Sequence, residues 1–90
     1  MDDTTKVGPP LPNVLETELD GEVSLYSPAH EQVTILNGTA TDVWYLCDGT
    51  RSEDEIVELL ASSYSVAPDQ IRDDVSRTIE MIRKAGLVQE

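Results

Sequence analysis

Val33-Thr34-Ile35-Leu36-Asn37-Gly38-Thr39-Ala40-Thr41-Asp42-Val43-Trp44-Tyr45-Leu46-Cys47 decides the fold, because the apolar period changes inside it. Up to Leu36 the residues are β-branched or aliphatic and read as a strand. Asn37-Gly38 is a breaker pair. Beyond it Ala40, Val43, Trp44 and Cys47 recur at helical spacing, so the chain passes from sheet to helix at this point.

Working back from Val33, two more short runs alternate in the same way, Val14-Leu15-Glu16-Thr17-Glu18-Leu19 and Val23-Ser24-Leu25-Tyr26. Asp20-Gly21 is a two-residue hairpin signal between them. Ser27-Pro28-Ala29-His30-Glu31 makes a looser second hairpin. Three antiparallel strands are therefore expected before any helix.

Working forward, three helices follow. The first is expected to be capped by Thr39, with Asp42 reaching back, and to end at Asp48-Gly49. The second opens on Ser52 and Glu55 as a capping box, carries Ile56, Leu59 and Leu60, and runs to about Ser63, with Tyr64 near its end. The third opens at Pro68 and places Ile71, Val75, Thr78, Ile79 and Ile82 in one stripe. Gly86 stops it, and Leu87-Val88 is expected to return to the core. The class is α+β, three N-terminal antiparallel strands and then three helices, with the helices arranged like those of a winged helix-turn-helix.

Residues 1–13, with Gly8, Pro9, Pro10 and Pro12, are expected to be a flexible or extended arm, and residues 14–90 the domain. Ninety residues make one unit with a core but leave no room for a separate catalytic cleft. A lone Cys47 fits a reducing compartment. The acidic start and the absence of a long apolar run give an expectation of a cytoplasmic protein with no membrane segment.

Eighteen acidic and six basic residues give a formal net charge of −12. That field repels phosphate backbones and attracts a cationic peptide. Arg72, Arg77, Arg83 and Lys84 all lie on the third helix, which in a winged helix would read DNA, but Asp69, Asp73, Asp74 and Glu80 interleave with them. A DNA-binding regulator is the alternative reading, and a subunit whose edge strand pairs permanently with another protein is a third.

Catalytic machinery is not expected. His30 is the one histidine and falls in a hairpin loop, Cys47 lies on an apolar helix face, and no second cysteine or nearby histidine completes a metal set. Glu53-Asp54-Glu55 is accounted for by the positive end of a helix dipole. No cofactor is implied.

What remains is the last strand. At a sheet edge its free backbone groups would accept an extended peptide as a fourth strand.

Five short stretches carry a further signal: Asp-Gly-Glu-Val-Ser-Leu-Tyr-Ser-Pro (20–28), Leu-Asn-Gly-Thr-Ala (36–40), Val-Trp-Tyr-Leu-Cys-Asp-Gly (43–49), Asp-Asp-Val (73–75) and Gly86-Leu87. In this order they resemble the PqqD-like family, the recognition elements of ribosomally made, post-translationally modified peptide pathways, over residues 15–88. The resemblance implies the strand and helix order above and a non-catalytic role. The leader of a precursor peptide would add to the third strand, lie against the third helix, and be presented to a separate leader peptidase or modifying enzyme.

With no enzyme in the chain, the freestanding lasso-peptide type is the form it is most similar to, whose leader offers a tyrosine and a proline to an apolar pocket. Carried onto this sequence, Val33, Thr34, Ile35 and Leu36 become the pairing strand, with Asp69, Arg72, Asp73 and Ser76 facing it from the third helix. The opposite flank, Gln70, Asp74, Arg77 and Met81, is the rival choice, and periodicity leaves both open. Leu36, Ala40, Trp44, Ile56 and Leu60 read as core from their spacing.

Overall fold

The structure is a computed structural model and describes residues 6–88. Strands β1 (Leu15–Leu19), β2 (Glu22–Ser27) and β3 (Gln32–Leu36) precede helices α1 (Gly38–Leu46), α2 (Glu53–Tyr64) and α3 (Pro68–Lys84). The sheet is antiparallel with the order β1-β2-β3. Strand and helix order both match the expectation.

The first hairpin closes because Asp20 and Gly21 both take positive φ, 56° and 80°, whose twist suits the right-handed strands on either side. In the second, the His30 N–H donates to the Ser27 carbonyl at 3.2 Å, and Glu31 makes the final left-handed step at φ 49°.

β2 carries the sheet's share of the core. Val23, Leu25 and Ser27 are buried toward the helices, together with Leu36 from β3, while every residue of β1 is exposed. Trp44 ties the outlying strand down: its indole Nε1–H donates to Glu16 Oε1 at 2.8 Å.

The cap of α1 is Asn37 rather than Thr39. Asn37 is the last extended residue, at φ −75° and ψ −175°, and its side chain accepts from the Ala40 N–H at 3.0 Å. Thr39 already lies inside the helix, where its hydroxyl cannot act as a cap. The Ser52 and Glu55 box forms as expected, with both bonds made, at 2.8 Å and 3.3 Å. The buried face of α2 is Ile56, Val57, Leu60 and Ala61, so the expected Leu59 is displaced from it and is 46% exposed. The stripe on α3 is the expected one, and Leu87 and Val88 are buried.

α1 sits between the sheet and the other helices. It packs on β2 and β3 on one side and on α2 and α3 on the other, whereas α3 packs on α1 and α2 and not on the sheet.

The arm is the one segment whose character differs from expectation. Residues 1–5 lie outside the described residues, and residues 6–11 are extended as expected but docked rather than free. Val7 is fully buried in the core; its N–H donates to Arg51 and its carbonyl accepts from Gly49, both at 2.9 Å. Leu11 donates to the Leu87 carbonyl at 3.0 Å. Gly8 permits this approach, since a Cβ there would stand 2.2 Å from the Cys47 carbonyl oxygen. The prolines conceal the docking in the sequence because they strip the segment of any period.

A docked Val7 has a measurable consequence. Val7→Ala should lower stability by roughly 2 kcal/mol in urea unfolding, as loss of buried methyl groups does; a change within about 0.5 kcal/mol, the range of a surface position, would show the segment to be free.

Candidate functional site

Strand order leaves β3 paired on one side only. Which of its backbone groups are free follows from the first turn. A two-residue hairpin makes Leu19 and Glu22 a hydrogen-bonded pair, and alternate residues of an interior strand bond to opposite neighbours. Glu22, Ser24 and Tyr26 therefore turn to β1, and Val23, Leu25 and Ser27 to β3. Their partners Leu36, Thr34 and Gln32 bond inward, and Val33 and Ile35 direct their N–H and C=O groups at the open edge.

Facing that edge is one flank of α3. Two hollows lie between them, of about 610 and 340 Å³. The first is bordered by Gln32, Val33 and Thr34 on the strand and by Glu80, Lys84 and Ala85 on the helix. The second runs toward the start of α1, past Asn37, Thr39 and Ala40, with Asp74 and Thr78 opposite. Ile35, Arg77 and Met81 line both, so the two are halves of one groove. Val33 and Ile35 are 59% and 64% exposed, a large apolar exposure for an edge strand and the kind of surface that marks an interaction site.

A groove thus runs between the third strand and the third helix. No curated protein matches the chain by sequence. The family model for coenzyme PQQ synthesis protein D (PqqD) matches residues 22–88. The chain belongs to the PqqD family. A solved structure described as TbiB1 in complex with the TbiA(beta) leader peptide has the same fold: the TM-score is 0.75 at 20% sequence identity, over 89% of this chain and 93% of that one. The PqqD match begins at the head of β2, so β1 and the docked arm lie outside it although the matched core rests on both.

Within this PqqD domain the eight residues expected at the site part into three groups. Val33, Thr34 and Ile35 line the groove. Leu36 is fully buried and belongs to the core. The helix residues Asp69, Arg72, Asp73 and Ser76 are not among those that line the groove. Arg72 Nη1 donates to Asp54 Oδ1 at 2.7 Å, and the Ser76 hydroxyl donates to Glu53 Oε2; Asp69 and Asp73 are exposed. α3 buries its stripe against α1 and α2, and that rotation turns Arg72 and Ser76 to α2 and the rival flank to β3. Asp74, Arg77 and Met81 of that flank reach the groove, while Gln70 caps α3 by accepting from the Ala67 N–H at 3.2 Å.

The acidic run at the start of α2 thus has a second use. Glu55 caps the helix, and Glu53 and Asp54 hold α3 through Ser76 and Arg72. No local signal separates the two flanks, since each carries an arginine able to pair with Glu53-Asp54, and the contact that forms, Arg72 to Asp54, joins residues far apart in the chain.

Among the described residues no group of three or more His, Cys, Asp or Glu is placed to hold a metal, and no helix is long and apolar enough to cross a membrane. His30 is exposed, its ring lying over Gly86. Cys47 is fully buried, and burial pushes its thiol up to about 12. A thiol so placed is neutral and unreactive at physiological pH.

Because the folded thiol keeps its proton where the unfolded one loses it, the unfolded state binds fewer protons above its own pKa. This contribution to stability is complete below about pH 9 and is lost as pH rises toward about 12. Cys47→Ala should flatten that part of an alkaline unfolding series, and native Cys47 should resist an aromatic disulfide reagent at neutral pH until urea unfolds the chain. Rapid labelling of the folded protein would show the thiol to be accessible.

Proposed function

We propose that this protein is a non-catalytic adaptor that binds the leader region of a ribosomally synthesised precursor peptide, of the lasso kind, and presents it to a separate leader peptidase or modifying enzyme. The observation that carries this is the open edge of β3. The free backbone groups of Val33 and Ile35 face the groove, and an extended peptide laid there becomes the fourth strand of the sheet. Membership of the PqqD family supports the reading, as does a shared fold with a protein whose structure holds a leader peptide.

In such a complex the main chain supplies affinity and alternate side chains supply choice. Side chains pointing inward meet Ala40, Arg77, Thr78 and Met81. Those pointing outward extend the exposed sheet face beside Val33 and Ile35. The binding residues proposed here are therefore Val33, Thr34 and Ile35 with Asp74, Arg77 and Met81, on a unit that takes in the docked segment from Lys6. No turnover is needed: holding the leader fixes the remainder of the precursor near an enzyme, and the gain is one of effective concentration.

Titration calorimetry with the leader peptide encoded beside this chain tests the reading. Ile35→Pro removes an N–H that the β3 ladder does not use, so the fold should survive while affinity falls at least about tenfold, the equivalent of about 1.4 kcal/mol. Arg72→Ala, on the far flank, should leave affinity within about twofold, a few tenths of a kcal/mol. A folded protein that binds no neighbouring leader would refute the adaptor. Binding to duplex DNA that falls by orders of magnitude between low and moderate salt would favour the regulator instead.

A further inference from the structure

The overall charge and the charge of the groove point in opposite directions. Among the described residues the acids that line the groove are Asp74 and Glu80, and the basic residues are Arg77 and Lys84. The groove is electrically balanced on a protein of net charge −12. A third of all the cations therefore gather at the edge where a strand would dock.

The four charges are not equivalent. Lys84 and Glu80 pair with each other across one turn of α3 at 3.5 Å, at the end of the groove beside Gln32. Asp74 borders only the half near α1. Arg77 is the charged side chain that borders both halves, with Ile35 and Met81, and so stands at the middle of any peptide laid along β3. Its guanidinium donates one hydrogen bond, from Nη2 to Asp74, and its side chain is 74% exposed, so most of its five donors are met by water.

A docked strand removes that water. An apolar or amide side chain over Arg77 leaves charged donors without full partners, and a cationic one adds repulsion. A carboxylate satisfies the planar fork with two parallel hydrogen bonds, a match a lysine cannot offer.

We infer that Arg77 is the specificity-determining residue of the groove and that it selects peptides bearing an aspartate or glutamate on the inward face. Apolar residues stand two positions away on either side, against Met81 and Ala40. The inference rests on the adaptor reading, and it gives the leader a local acidic requirement that the protein's anionic field would by itself oppose. The field slows encounter with acidic chains generally. A segment that binds does so because its carboxylate meets the one guanidinium at the centre of the groove.

Display of random short peptides tests this without knowledge of the natural leader. The library is selected in parallel on the unaltered domain, on Arg77→Glu and on Arg77→Gln, and every enriched peptide is checked for loss of binding to Ile35→Pro. Peptides from the unaltered domain should share one Asp or Glu between apolar residues at two-residue spacing. Those from Arg77→Glu should carry Lys or Arg at that position, and exchanging the two sets should weaken binding at least about tenfold, the scale of a charge-assisted pair. Arg77→Gln should bind acidic and amide versions of one peptide within about twofold of each other. Edge-dependent peptides with no acidic position, or the same peptides enriched on all three domains, would overturn the role of Arg77 while leaving the adaptor standing. If no enriched peptide depends on the edge of β3, the adaptor reading falls and this inference with it.

Discussion

The placement of α1 between the sheet and α3 is the constraint on which the rest of the structure depends. One face of this nine-residue helix packs on β2 and β3 and the other on α2 and α3, so α3 is held opposite the edge of β3 at a distance it does not close. If α3 lay directly on the sheet, the apolar stripe from Ile71 to Ile82 would cover the strand and the groove would vanish. Trp44 does the holding from the middle of α1: its ring is in the core and its indole N–H is bonded to Glu16 on the outermost strand. Burying the ring without a partner for that N–H would cost part of what the burial supplies.

Burial of its apolar stripe sets the rotation of α3, two polar contacts go with it, and the rotation decides which flank lies toward β3. Arg72 and Ser76 are drawn to the first turn of α2, leaving Asp74, Arg77 and Met81 toward β3. A turn of about 100° separates neighbouring residues on a helix, so exchanging the flanks would replace Asp74, Arg77 and the Met81 thioether by two carboxylates, an arginine and a serine. Individually these surface bonds add little stability. They reinforce an orientation that burial of the apolar stripe already sets.

The fold was legible because each element announces itself locally. Asp20-Gly21 dictates a two-residue turn, Ser52 with Glu55 dictates a helix start, and the stripe on α3 has one period throughout. Legibility failed where the deciding contact is distant in sequence. Val7 enters the core through bonds to Gly49 and Arg51, more than forty residues on, and nothing near it reports that. The flank of α3 was undecided for the same reason, since Asp54 and Arg72 are far apart in the chain and each has an adequate local explanation as a capping charge or a solvated one. The cap of α1 was misplaced by two residues because asparagine and threonine both serve, and only the backbone angles of Asn37 distinguish them.

Charge shows how far a whole-chain quantity can mislead about a site. A net charge of −12 suggests a cationic ligand, and at long range it acts that way, but screening limits this to roughly 8 Å at physiological salt. Within the groove, neighbours a few ångströms apart decide, and among the described residues two acids there stand with two cations, against eighteen and six in the chain. Much of the excess acid is spent elsewhere on internal tasks: Glu55 and Asp48 on backbone N–H groups, Glu53 and Asp54 on α3, Glu16 on Trp44. Remote acids and groove cations can thus coexist, the first setting the field at long range and the second the field within the groove.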